Sequence, residues 1–271
     1  MPDRTLSPQR LEYLRAGKRR RRSILLLQLL LLAVFLGQWE LTARAGWVDA
    51  FVVSYPSRIL ATLKELYCGG DLWLHVGTSC LETAAGFTLG TALGTLIAVG
   101  LWWSDFASKV LDPYLVVLNA LPKTALGPIF IVWMGAGTAS IITMTLAISI
   151  IVTILNMHAG FMSTDEEKIR LMRTFGARRG QILRMLVFPA NYPTLFNTLK
   201  VNLGLSWVGV IMGEFLVSKA GLGYLIVYGS QVFNMDLVMT TVLLLAIAAV
   251  VMYQLVLWLE KILKKRLGVV E

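Results

Sequence analysis

Four polar side chains interrupt otherwise apolar stretches of this sequence: Glu82, Asn119, Lys123 and Glu214. Ionisable groups in such surroundings are expensive and default to a functional reading, here a substrate pathway. Lys123 either draws an anionic solute along that pathway, or it snorkels or pairs with a carboxylate such as Glu82. The residues alone leave both open. Lys200 lies near the end of its apolar run, where snorkelling suffices. The polar groups are scattered singly, which argues against the converging groups that an enzyme needs. His75 and His158 stand alone, and Cys68 and Cys80 have no zinc spacing, so no metal site is expected. The two cysteines allow one bridge but read better as unpaired small apolar residues. The sequence has no phosphate-cradling glycine loop ahead of a Lys-Ser/Thr pair, so the chain is not itself an ATPase.

The elements that must position these groups are membrane spans. Of 271 residues, 56% are hydrophobic and only 15% charged, with a mean hydropathy of +0.69; a soluble domain carries about 25% charged residues. The apolar residues fall in blocks of about twenty, the length that crosses a bilayer. Six spans are expected at about 23–43, 76–101, 110–134, 139–160, 194–217 and 237–259, giving an all-α, polytopic membrane protein. A basic arm (1–22) precedes the membrane domain (23–260), and a basic tail (261–271) follows it. A cleavable signal peptide is the rival reading of the first span, because Ala43-Arg44-Ala45 mimics a cleavage site. The long basic n-region and Gln38-Trp39-Glu40 argue against it. Pro56 followed by Ile59, Leu60, Leu63 and Leu66 predicts a short amphipathic helix at the membrane surface.

The net charge of +9 is distributed along the membrane topology. Of 25 Lys and Arg, eight lie in 1–22, six in 168–184 and four in 261–266. They flank spans and do not interleave with aromatics as a single-strand binder's would, so the expected surroundings are a lipid bilayer and no nucleic acid. With both termini in the cytoplasm, only Arg44, Arg58, Lys64 and Lys219 fall outside. Gly86, Gly90 and Gly94, and again Gly209 and Gly213, are spaced for close helix packing. Pro122 and Pro128 interrupt the third span, which is tolerated where a helix lines a cavity or is buried in protein.

The long polar stretch 161–193 carries the most information. Ser163 with Glu166, and Thr164 with Glu167, make overlapping capping boxes. Ile169, Met172 and Phe175 then recur at helical spacing, and Gly176 supplies a helix stop. A second helical stretch, about Arg178–Val187, is expected to end before Pro189. A basic amphipathic helix–glycine–helix loop needs something to dock against: an anionic lipid surface, or a partner protein with a groove for Met172, Phe175 and the glycine corner.

The run Arg170-Leu171-Met172-Arg173-Thr174-Phe175-Gly176-Ala177-Arg178-Arg179, followed by Leu186-Val187-Phe188-Pro189, resembles the cytoplasmic signature loop of binding-protein-dependent ABC transporter permeases. The glycine and the proline stand thirteen apart, as in that pattern. Glu214 with Ala220-Gly221-Leu222-Gly223, and Pro128 through Trp133-Met134-Gly135 to Gly137, are similar to the nitrate, taurine and aliphatic-sulfonate branch; the likeness covers about 50–262. Three departures stand out. Arg170-Leu171-Met172 replaces the family's Glu-Ala-Ala triplet, Glu82 stands where many members carry Arg, and Asn119 replaces a common Arg near Lys123.

This resemblance implies a type I ABC importer permease architecture and a place in the bacterial inner membrane. It implies a second permease chain, expected to be an identical copy, and a soluble solute-binding protein docking outside against the 44–75 and 218–236 loops. Separate ATPase subunits would hold ATP and Mg, leaving no cofactor on this chain, and would seat on the 161–190 loop through Arg170, Met172, Arg173, Thr174, Phe175, Gly176, Ala177, Arg178, Gln181 and Pro189. Nitrate, taurine, an alkyl sulfonate or a vitamin precursor fits as solute. The alternative, a secondary transporter or channel, would show inverted repeats or a filter sequence, and neither is visible.

Overall fold

The computed structural model describes residues 8–47 and 49–267, so the ends of the expected basic arm and tail (1–7 and 268–271) lie outside the described residues. Among the described residues the chain is helical, with no strand. The long helices are α1 (Pro8–Arg44), α4 (Asp71–Trp103), α7 (Thr138–Met162), α11 (Tyr192–Val217) and α13 (Met235–Leu267). Each contains a stretch long and apolar enough to cross a membrane. The shorter elements are α2 (Ala50–Val53), α3 (Pro56–Gly69), α5 (Asp105–Ala120), α6 (Gly127–Met134), α8 (Glu166–Thr174), α9 (Arg179–Ile182), α10 (Phe188–Ala190) and α12 (Leu222–Gln231).

The core is a three-helix layer with α7 in the middle, between α4 and α11. The glycines explain why. A Cβ at Gly86 would lie 2.7 Å from Thr145 Cβ, one at Gly90 would strike Ser149 Oγ, and one at Gly94 would meet Thr153. On the other side of α7, a Cβ at Gly209 would come 2.7 Å from Thr145 Cα, and one at Gly213 3.1 Å from Ile141 Cα. Missing side chains on both neighbours thus let the three backbones approach closely, the source of attraction between helices where lipid is as apolar as protein. Asn202 on α11 ties the layer together, donating to Thr91 Oγ1 of α4 (3.1 Å) and Thr153 Oγ1 of α7 (2.6 Å).

The third expected span, 110–134, is not one helix. α5 and the segment Lys123–Met134, a 3₁₀ turn leading into α6, are bent by 87°. Pro122 has no N–H to continue α5 and forces its predecessor out of the helical region, so Leu121 sits at ψ 138°. No residue of α5 is buried, and Val132 and Trp133 of α6 are 82% and 75% exposed.

The stretch 218–236, expected as a loop, holds helix α12, with Leu222, Gly223, Leu225 and Gly229 buried against α11 and α13. Its ten residues are too few for a span, so hydropathy missed it. α13 continues through the expected tail to Leu267, and α1 starts at Pro8, well before the expected first span. The expected short amphipathic helix is present as α3, with Ile59 buried. Cys68 and Cys80 are both free thiols.

Candidate functional site

The polar stretch after α7 folds into a compact corner. Its first helix is not capped as the capping-box pattern predicts. α7 runs on to Met162, so Ser163 becomes that helix's C-cap and its hydroxyl donates back to Gly160 O (2.8 Å). Thr164 Oγ1 instead accepts from Asn191 Nδ2 (2.9 Å). The cap falls to Asp165, whose carboxylate accepts from the Glu167 N–H (2.9 Å).

The far end of α8 is a Schellman turn. The Ala177 N–H donates to Met172 O (3.0 Å) and the Gly176 N–H to Arg173 O (2.9 Å), with Gly176 in the left-handed region at φ +79°. Met172 and Ala177, the pair this motif brings into apolar contact, pack with Ile169 against Ala98, Met157, Phe161, Ile182 and Val187. α8 therefore has two apolar faces. Ile169 and Met172 point inward, whereas Leu171 and Phe175, one turn apart, are 56% and 82% exposed. Met172, expected to enter a partner's groove, serves the chain's own core, and Leu171 joins Phe175 on the outward face.

Basic side chains ring this knob. Arg170 pairs with Glu166 (2.7 Å) and remains exposed; Arg173 and Arg178 are exposed as well. The Thr174 hydroxyl donates to Leu171 O (2.6 Å). Gln181 is turned back on its own segment, its Oε1 accepting from the Arg178 N–H (2.8 Å). Arg179 donates to Trp103 O (2.8 Å), fastening the corner to the end of α4. Between them lies a cavity of about 220 Å³, lined by Trp102, Trp103, Asp105, Glu166, Arg173 and Arg179 among others.

The expected second helix, 178–187, also differs. Its α-helical part is α9 alone; Leu183–Val187 widens into a π turn, and α10 continues past Pro189. The wider turn lets the chain absorb a proline that would break an α-helix. Asn191, buried, donates to Val187 O (2.8 Å) as well as to Thr164, joining the two ends of the loop. Trp102, Trp103 and Asn191 were not singled out from sequence, although a Trp-Trp pair ahead of Ser104-Asp105 is the kind of aromatic signal that marks a span end.

The four intramembrane candidates do not form one site. Lys123 Nζ donates to Asn119 O (2.8 Å) on the bent, open side of the molecule. It does not pair with Glu82, which is buried on α4. Glu214 on α11 is buried too, and its carboxylate accepts from Ser79 Oγ (2.5 Å) and the Gly223 N–H. Lys200 does more than snorkel: it pairs with Glu260 of α13 (2.8 Å), which Lys264 also contacts (2.9 Å).

Residues 90–269 match the family model described as the binding-protein-dependent transport system inner membrane component. The chain belongs to that family. It is 29% identical over 237 residues to a Bacillus subtilis permease protein, SsuC, assigned to aliphatic sulfonates transport, spanning 88% of this chain and 86% of the relative. It is 28% identical to the riboflavin transport system permease protein RibX of Chloroflexus aurantiacus, over 87% of each chain. It is 25% identical to the taurine transport system permease protein TauC of Escherichia coli, over 80% of this chain and 81% of the relative. In fold it is similar to a chain of the MetNI methionine ABC transporter in an inward-facing conformation, with a TM-score of 0.60 at 18% identity, covering 71% of this chain and 94% of that one. The permease is thus a multi-pass membrane protein of the ABC transporter class.

Proposed function

We propose that this permease forms the solute pathway of an ATP-driven importer in a bacterial inner membrane, with both termini and the 161–190 corner in the cytoplasm. A separate ATPase, which holds ATP and Mg, seats on the knob of Leu171 and Phe175 and its ring of Arg170, Arg173 and Arg178. The observation that carries this reading is the two-faced α8. One apolar face locks the corner to the ends of α4, α7 and the π turn, while the other presents a large aromatic to solvent at a rigid Schellman turn. Burying a Phe is worth about 1.5–3 kcal/mol, a gain available to a partner whose groove closes over Phe175. Movement of the ATPase would reach the membrane through α7 and α11, which begin and end the corner.

A second, identical permease chain would cover the open face of α5 and α6, where no residue of α5 is buried. A soluble binding protein would deliver solute at the opposite end, near α2, α3 and the approach to α12. The relatives named for sulfonates, taurine and riboflavin point to a small organic solute. The test is purification of the tagged chain from its native membrane. A nucleotide-hydrolysing partner that co-purifies with the wild type and is lost with Phe175→Asp supports the proposal. Purification of the chain without such a partner, or retention of the partner by Phe175→Asp, overturns it.

A further inference from the structure

Four arginines of the corner lack a counter-charge, and they gather beside the end of a membrane span. Arg178, Arg179 and Arg184, with Trp103 and Met185, line an open cleft of about 670 Å³. It adjoins the 220 Å³ cavity described above, which shares Trp103 and Arg179 with it and adds Arg173. Among the described residues none of these four arginines takes part in an ion pair. The two carboxylates at the narrower cavity are engaged elsewhere, Asp105 with Lys109 (2.7 Å) and Glu166 with Arg170 (2.7 Å). Among the described residues the wider cleft has no carboxylate in its lining.

The aromatic wall sets the depth of the cleft. Trp103 is the last residue of α4, whose apolar stretch is long enough to cross a membrane. A Trp at a span end sits at the level of the lipid head groups. Trp103 is 45% exposed, and its ring reaches Gly180, where a Cβ would lie 3.8 Å away. The hydrogen bond from Arg179 to Trp103 O (2.8 Å) holds one guanidinium at that level and leaves it further N–H donors. Met185, 69% exposed, adds a second apolar side chain to the same cleft. Three guanidiniums with a Trp and a Met at head-group depth suit an anion that carries its own apolar part. A guanidinium fork matches the two unesterified oxygens of a phosphodiester, which share one negative charge. A small soluble anion would meet the arginines but leave Trp103 and Met185 wet.

We propose that the cleft between the end of α4 and the Arg178–Met185 segment seats the head group of an anionic phospholipid. Its phosphodiester rests on Arg179 and Arg184, and its apolar part lies beside Trp103 and Met185. The seated lipid joins α9 and the π turn to the end of α4 and so holds the corner at a fixed height against the membrane. This needs only a bilayer beside α4 and does not depend on an ATPase binding the knob of Leu171 and Phe175. Arg173 and Arg178 border both places, so Arg179 and Arg184 are the residues to change.

The test titrates the tagged full chain, in mild detergent, with dioleoyl phosphatidylglycerol or dioleoyl phosphatidylcholine and counts bound lipid by native mass spectrometry. A cation close to an anionic lipid contributes about fivefold in affinity. The wild type should hold one phosphatidylglycerol at least about tenfold more tightly than phosphatidylcholine. Arg184→Gln should weaken that binding about fivefold, and Arg179→Gln combined with Arg184→Gln about twenty-fivefold. Lys261→Gln combined with Lys265→Gln, the same change of charge on α13, should leave it intact. Arg184 is exposed and makes no ion pair, so the single variant decides the question if the double one does not fold. Equal retention of the two lipids by the wild type overturns the proposal, as does equal loss in the two double variants, the mark of diffuse attraction. Displacement of the lipid by millimolar inorganic phosphate overturns it in favour of a free anion. Loss of a co-purifying ATPase from Arg184→Gln, with lipid binding unchanged, overturns it in favour of the protein dock.

Discussion

Replacing Gly176 tests the corner most directly, because the structure separates backbone strain from bulk there. Gly176 lies at φ +79°, and a Cβ built on it would meet nothing within 4 Å. Gly176→Ala therefore costs only what a side chain pays in the left-handed region, about 1–2 kcal/mol. If the turn opens to relieve that strain, its closed population falls relative to open by about 5- to 30-fold. The α8 end should then lose the Ala177-to-Met172 hydrogen bond. Hydrogen exchange on the 171–178 segment reads this out, as would affinity for the proposed ATPase partner. Gly176→Asn should be milder, since Asn tolerates this conformation, and Gly176→Val the most severe. Equal damage from Asn and Val would refute the argument by showing that bulk, not dihedral angle, matters. An unchanged exchange rate in Gly176→Val would refute it outright.

Three further outcomes follow from the membrane layer and its basic end. Gly90→Leu drives a side chain into Ser149 and should cost about 1–3 kcal/mol or more, seen as a lower unfolding temperature in detergent; Gly100→Leu, with nothing within 4 Å, should not. Asn202→Leu removes the link to Thr91 and Thr153, worth about 0.6–1.7 kcal/mol, and pairing it with Thr153→Val should give less than the sum of the two losses. Lys200→Met leaves Glu260 with Lys264 and should cost less than about 1 kcal/mol. Removing both lysines leaves Glu260 without either ion-pair partner and should cost more than the single change, as denaturant unfolding would report.

Much of this architecture is legible in the amino-acid order. Apolar blocks locate α1, α4, α7, α11 and α13, and the spacing of Gly86, Gly90 and Gly94 announces the contact that α7 fills. Gly176 is readable as a stop because it directly follows the helical spacing of Ile169, Met172 and Phe175. The failures lie where the outcome depends on distant partners. α12 is too short for a hydropathy signal, and its first amides are satisfied by His75 and Ser79, more than 140 residues earlier in the chain. The Ser163 and Thr164 capping boxes do not form, because α7 extends further than its apolar block and because Asn191, 27 residues on, claims the threonine. Glu82 and Lys123 look like partners on paper, yet the 87° bend after α5 turns the lysine away.

The glycine contacts on both sides of α7 also bear on kinetics. Thr145 sits against Gly86 on one side and Gly209 on the other, so a small slide of α7 along either neighbour drives methyl groups into backbone. An interface fitted this tightly has no shallow slope to move down; it holds one register until it jumps to another. Conformational switching in this permease should then be stepwise, with dwell times set by how often three interlocked helices release together.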